Sequence, residues 1–155
     1  MKHRHWIVLT IALAIGIGIA FYPGFIDKPP RGANPHDAKL VKQGATLYVK
    51  HCATCHGANL EGQANWRERK ADGKLPAPPH DASGHTWHHP DRVLFRVTQE
   101  GMAWVGGPNY QSDMPAFGGV LNDPEIDAVI AFIKSSWPEP VRAQQQTIDQ
   151  QDRQR

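Results

Sequence analysis

The chain has 155 residues and a formal net charge of +2, which leaves room for one ordinary domain with extensions. Its lysines and arginines are scattered rather than gathered in a long basic run, so nucleic acid is not an expected partner. The two cysteines lie three positions apart and cannot staple distant segments, so their value is chemical, while 14 Gly and 13 Pro point to a small, loop-rich fold without a large sheet.

Residues 1–5, Met1-Lys2-His3-Arg4-His5, precede an uncharged stretch from Trp6 to Ile26 that stops at Asp27. As a helix this stretch spans about 31 Å, enough to cross the hydrocarbon core of a bilayer. A cleaved signal peptide competes, with an apolar run from Ile7 to Phe21 and small residues Gly18 and Ala20 near a cleavage point. The run continues past Ala20 without an Ala-x-Ala there, which favours an anchor over 6–26. Ala12, Gly16 and Ala20 recur every four residues, a helix-packing stripe or simply the usual small-residue content of such helices. Lys2 and Arg4 keep the N-terminus in the cytoplasm and place Pro29 onward outside it. The Pro-rich linker over 27–35 is semi-stiff, because its prolines resist helix.

A folded domain is expected over 36–137. Leu40, Val41, Gly44, Leu47 and Tyr48 form a one-faced helical pattern capped by Asp37, and this helix runs straight into the cysteines. Cys52-Ala53-Thr54-Cys55-His56 spells C-x-x-C-H, the attachment pattern for a c-type haem. Thiols three residues apart reach the two vinyl groups of one porphyrin, and the next residue places an imidazole under the iron. A zinc half-site would need a second pair of ligands at finger spacing, and a thioredoxin-like pair would follow a strand in an alternating strand and helix pattern. Neither context is present in the sequence. The expected cofactor is one haem c, bound through Cys52 and Cys55 with His56 on the iron. Covalent attachment of this kind agrees with an exported domain.

A second helix is predicted from Asp91 to Gln99, led by Pro90 and stopped by Gly101. A third starts at the cap Asn122, carries Ile126, Val129, Ile130 and Ile133 inward, and ends at Trp137-Pro138. The tail over 138–155 is Gln-rich, charged and nearly free of apolar groups, which predicts disorder.

On these residues the chain resembles class I cytochromes c, from about His36 to Trp137. Gly44 and Tyr48, with Val129 and Phe132, are similar to the residues at which that family's first and last helices cross. The resemblance implies an all-α class I cytochrome c fold, a small helical domain wrapped around one covalently bound haem, here preceded by an N-terminal transmembrane helix. Asp113-Met114-Pro115-Ala116-Phe117 resembles the loop carrying the family's second iron ligand, which makes Met114 the expected partner of His56; Met102 is its rival. A thioether opposite an imidazole raises the reduction potential and closes both axial positions, favouring electron transfer over catalysis. Leu75-Pro76-Ala77-Pro78-Pro79-His80 resembles the family's loop beside the histidine, with Pro78 as the candidate acceptor for its ring and His80 where a leucine is usual.

Trp87, Trp104, Tyr110, Arg92 and Arg96 are candidate partners of the haem propionates, beside plain packing or surface roles. His80, His85, His88 and His89 form a possible copper or zinc cluster, against the simpler reading of surface and capping histidines. Lys39, Lys42, Lys50, Lys70 and Lys74 either ring the haem edge and steer an acidic partner or are ordinary solvated lysines. The function implied is single-electron transfer without a small-molecule substrate, between redox proteins such as a terminal oxidase, reductase or dehydrogenase. The expected location is the outer, periplasmic face of a bacterial cytoplasmic membrane, or the soluble periplasm after cleavage. Two alternatives remain: a permanently bound cytochrome subunit of an oxidase or dehydrogenase complex, and a haem enzyme or gas sensor with an open iron position.

Overall fold

Asp37 starts the first helix by folding its carboxylate back on two backbone amides, with Oδ1 accepting from Lys39 N at 3.0 Å and Leu40 N at 3.1 Å. In the computed structural model, which describes residues 32–155, this helix is α1, Ala38–His51. The segment Trp6–Ile26 lies outside the described residues. After α1 the chain tightens at Cys52 into a single further turn, α2, Ala53–His56. Gly57 ends it at φ +83°, a conformation that glycine adopts without strain.

Residues 57–90 are irregular. Hydrogen bonds such as Gln63 N to Ala77 O (2.9 Å) and His80 N to Leu60 O (2.8 Å) fold the stretch back on itself, and one 3-10 turn forms at Thr86–His88. α3, Asp91–Glu100, follows Pro90 and stops at Gly101. The short α4, Ala103–Gly106, leads into the loop that carries Met114. α5, Asp123–Ser135, begins with a reciprocal capping box in which Asn122 and Glu125 satisfy each other's backbone amides. The three main helices match the sequence periodicity. Among the described residues there is no strand, and no helix is long and apolar enough to cross a membrane.

The core is the crossing of α1 on α5, the most extensive helix pairing among the described residues. Tyr48, Phe95, Ile126, Val129, Ile130, Ala131 and Trp137 are all buried there or beside it. A Cβ on Gly44 would stand 2.5 Å from the Ala128 carbonyl carbon and 2.9 Å from Phe132 Cβ, so only glycine lets the two backbones approach this closely.

The tail departs from expectation. Residues Glu139–Arg153 form a helix, α6, rather than a disordered segment. Val141 packs half-buried against the core, and the other ties that order the helix are polar. Gln145 is 1% exposed, and its amide donates to Asp91 Oδ1 (2.8 Å) and to the His89 carbonyl (3.2 Å). Asp149 accepts from the backbone N–H of Asp91 (3.0 Å) at the start of α3, and Arg92 makes two 2.9 Å hydrogen bonds to Asp152. Arg142 donates to the Trp137 carbonyl (2.7 Å), fixing the bend between α5 and α6. The polar side chains of the tail thus cap backbone groups of α3 and α5 that would otherwise lack partners.

Candidate haem site

The C-x-x-C-H segment sits where α1 gives way to α2. Hydrogen bonds from Cys55 N (3.1 Å) and His56 N (2.9 Å) to the Cys52 carbonyl wind Cys52, Cys55 and His56 into one turn. Both thiols are free, Cys52 half-buried and Cys55 exposed. Burial, with the neighbouring Cys55 adding to it, pushes the Cys52 thiol up to about 11, so it stays protonated at neutral pH. Tyr48 braces the turn from inside, its hydroxyl donating to the Gly57 carbonyl at 3.0 Å.

His56 is buried, and its Nδ1 lies 2.8 Å from the Pro78 carbonyl. A carbonyl can only accept, so Nδ1 carries the proton and Nε2 is left with the free lone pair that a metal needs. Burial lowers the affinity of this ring for a second proton, against the Pro78 carbonyl, which raises it. The loop residue expected to orient the histidine is therefore the one that does. Its neighbour His80 lies nearly parallel to His56, with ring centroids 4.0 Å apart and 21° between the planes. Burial holds His80 well below its ordinary value, the His56 and His85 charges adding to the effect. The Trp137 indole donates to the His80 carbonyl (2.7 Å) and ties the end of α5 to this loop.

Met114 packs half-buried against the core, and its N–H donates to Ser112 Oγ at 3.1 Å. On its C-terminal side the loop docks onto the end of α3 through Phe117 N to Thr98 O and Gly118 N to Gln99 O, both 3.0 Å. On its N-terminal side Asp113 receives the ammonium groups of Lys70 and Lys74, which hold its carboxyl down at about 2. Met102 stands at the start of α4, immediately before Ala103.

The two thiols and the bared Nε2 lie within one turn and are chemically suited to a covalently held haem, which takes thioether links and an imidazole on its iron. The family model described as cytochrome c matches residues 41–137, more than half of the sequence. The chain belongs to the cytochrome c family. As a cytochrome c it binds haem c and transfers electrons, and its all-helical architecture fits that fold. The gluconate 2-dehydrogenase cytochrome c subunit of Pantoea cypripedii is 31% identical over 106 residues, which cover 64% of this chain but only 21% of that relative. No solved structure gives a significant match.

In this cytochrome c several candidates have other engagements. Arg92 is bound to Asp152, while Arg96 pairs with Glu100 and lies 5.1 Å from the Trp104 ring centroid. Trp87 donates to the Ala82 carbonyl. The four clustered histidines are divided: His80 turns to His56, His88 to Trp87, and His85 stacks on Trp66 with His89 at its edge. Among the described residues no group of three or more His, Cys, Asp or Glu is arranged to hold a metal ion. Lys70 and Lys74 are both paired with Asp113 at the surface. Sequence reasoning missed that pairing and the buried contact of Lys134 with Asp91 (2.7 Å). The Asp-Gly turn at 72–73, which sets Lys70 and Lys74 side by side, was the available signal for the first.

Proposed function

We propose that the chain holds one haem c through thioethers to Cys52 and Cys55, with His56 and Met114 on the iron, and that it shuttles single electrons between protein partners outside the cytoplasm. The observation that carries this reading is the His56 to Pro78 hydrogen bond, which presents a lone pair at Nε2 within one turn of two free thiols. When bound, the haem supplies a reversible one-electron couple. The protein's part is to fix His56 by the Pro78 carbonyl, to keep water from the site with Tyr48, Leu60 and Phe117, and to hold Met114 against the core. Trp6–Ile26 tethers the domain to the outer face of a bacterial cytoplasmic membrane and restricts its diffusion to that surface.

A second reading is favoured by a specific observation: the Pantoea relative is named as the cytochrome c subunit of a dehydrogenase. The present chain then stays bound to a dehydrogenase partner rather than diffusing between complexes. Purification from membranes without crosslinker separates the two, since a stoichiometric partner supports the subunit and recovery alone supports the shuttle.

The iron ligands are tested by Met114→Leu. The wild type should bind carbon monoxide poorly, and the variant should bind it readily with a reduction potential lower by on the order of 100 mV. Ready binding in the wild type, unchanged by the substitution, would remove Met114 from the iron and reopen the haem enzyme or gas sensor.

A further inference from the structure

Two lysines and one aspartate outside the haem-holding set meet at the Met114 loop. Lys70 to Lys74 form a tight turn closed by Gly73 N to Lys70 O and Lys70 N to Lys74 O, both 2.9 Å, with Asp72 Oδ1 accepting from Lys74 N at 3.0 Å. Gly73 has φ +81° and nothing within 4 Å of where a Cβ would stand, so the conformation and not the space calls for glycine. The turn lays the two lysines side by side. Lys70 Nζ reaches Asp113 Oδ2 at 2.7 Å, and Lys74 Nζ reaches the other oxygen of the same carboxylate.

Asp113 immediately precedes Met114. Among the described residues, the stretch from Gln111 to Ala116 makes no backbone-to-backbone hydrogen bond. Its N-terminal half is held by side chains: Ser112 is a local tie, and Asp113 is the tie to a distant part of the chain.

We propose that Lys70, Lys74 and Asp113 are positioning residues, a two-lysine clip that keeps the Met114 loop closed on the iron side and loosens as ionic strength rises. This rests on Met114 being an iron ligand. All three side chains are partly exposed, at 41%, 28% and 51%. Such pairs are screened by salt and add little to global stability, so the clip governs local opening of the loop.

The test is the rate of carbon monoxide binding to the reduced, haem-loaded protein, read with the ferric thioether-to-iron absorption band and a urea midpoint. Asp113→Asn should bind the gas about threefold to tenfold faster than wild type, at nearly the same urea midpoint. The wild-type rate should climb toward that of the variant as salt is raised, while the variant's rate stays flat. Lys70→Gln with Lys74→Gln should reproduce Asp113→Asn, and Lys70→Arg with Lys74→Arg should keep the wild-type rate. If Asp113→Asn and the double glutamine variant both match wild type in rate and salt dependence while Met114→Leu is fast, the clip is wrong and the ligand stands. If Met114→Leu itself matches wild type, the ligand reading fails and the clip with it.

Discussion

The α1–α5 crossing and the junction of α6 with α3 both join segments far apart in sequence, and they do so with opposite chemistry. At the crossing, Gly44 lets backbone meet backbone, and Tyr48, Val129 and Phe132 fill the space around it. At the junction, Asp91 is the hub: Lys134 from α5 (2.7 and 2.8 Å) and Gln145 from α6 (2.8 Å) donate to its carboxylate, while its N–H donates to Asp149. The crossing depends on shape, so it fails when volume is added. The junction depends on completeness, because a buried polar group stabilises only while each of its partners is present.

The largest effect is expected at the crossing. Gly44→Val puts atoms inside the Ala128 carbonyl, which belongs to backbone and cannot swing away. Destabilisation of about 3 kcal/mol or more should follow, seen as a collapse in the yield of haem-loaded protein and a lowered urea midpoint. A valine variant with the wild-type midpoint would mean that the helices do not approach there. At the junction, Lys134→Met leaves Asp91 buried with the Gln145 amide as its remaining side-chain donor, and roughly 2–4 kcal/mol should be lost. Adding Asp91→Asn should recover part of that loss. A double variant as unstable as the sum of its parts would show that the two groups are not coupled.

The same contrast decides what could be read in the chain beforehand. Helices α1, α3 and α5 were legible because apolar residues repeat at helical spacing between recognisable caps, and the C-x-x-C-H segment because three functions fall within five residues. Pro78 was legible only through the family's loop, and its carbonyl was found on the His56 ring. The tail was misread because Gln145 and Asp149 mark a surface by composition, and nothing local tells that their partners lie 54 and 58 residues away. The pairing of Lys70 and Lys74 with Asp113, 43 and 39 residues away, is silent in the sequence for the same reason. Pairing between distant polar side chains leaves no periodicity.

The smallest prediction asks whether acid finds the polar side first. His85 stacks on Trp66, with the Arg67 guanidinium over the other ring at 3.9 Å, and His89 lends its carbonyl to Gln145. Burial lowers both imidazoles, with the charges of His88 and then Arg67 adding to the effect at His85, and those of His85 and then His88 at His89. A histidine lowered in the folded state binds fewer protons than its unfolded counterpart, so its contribution is present above about pH 6.5 and is lost as pH falls from there through the folded value. Both rings are about half-exposed, which makes the change smaller than that of either substitution. The urea midpoint should therefore drop between pH 7.5 and 5.5; His80, lowered further by its deeper burial, takes part in the same drop, and His85→Gln with His89→Gln should remove only the share of those two rings. In the part of the drop that the double variant removes, hydrogen exchange should locate the loss in α6 and the first turn of α3, with amides of the α1–α5 crossing as protected as before. Equal loss of protection at both places would mean that the two regions open as one unit, and the distinction between them would hold for chemistry but not for cooperativity.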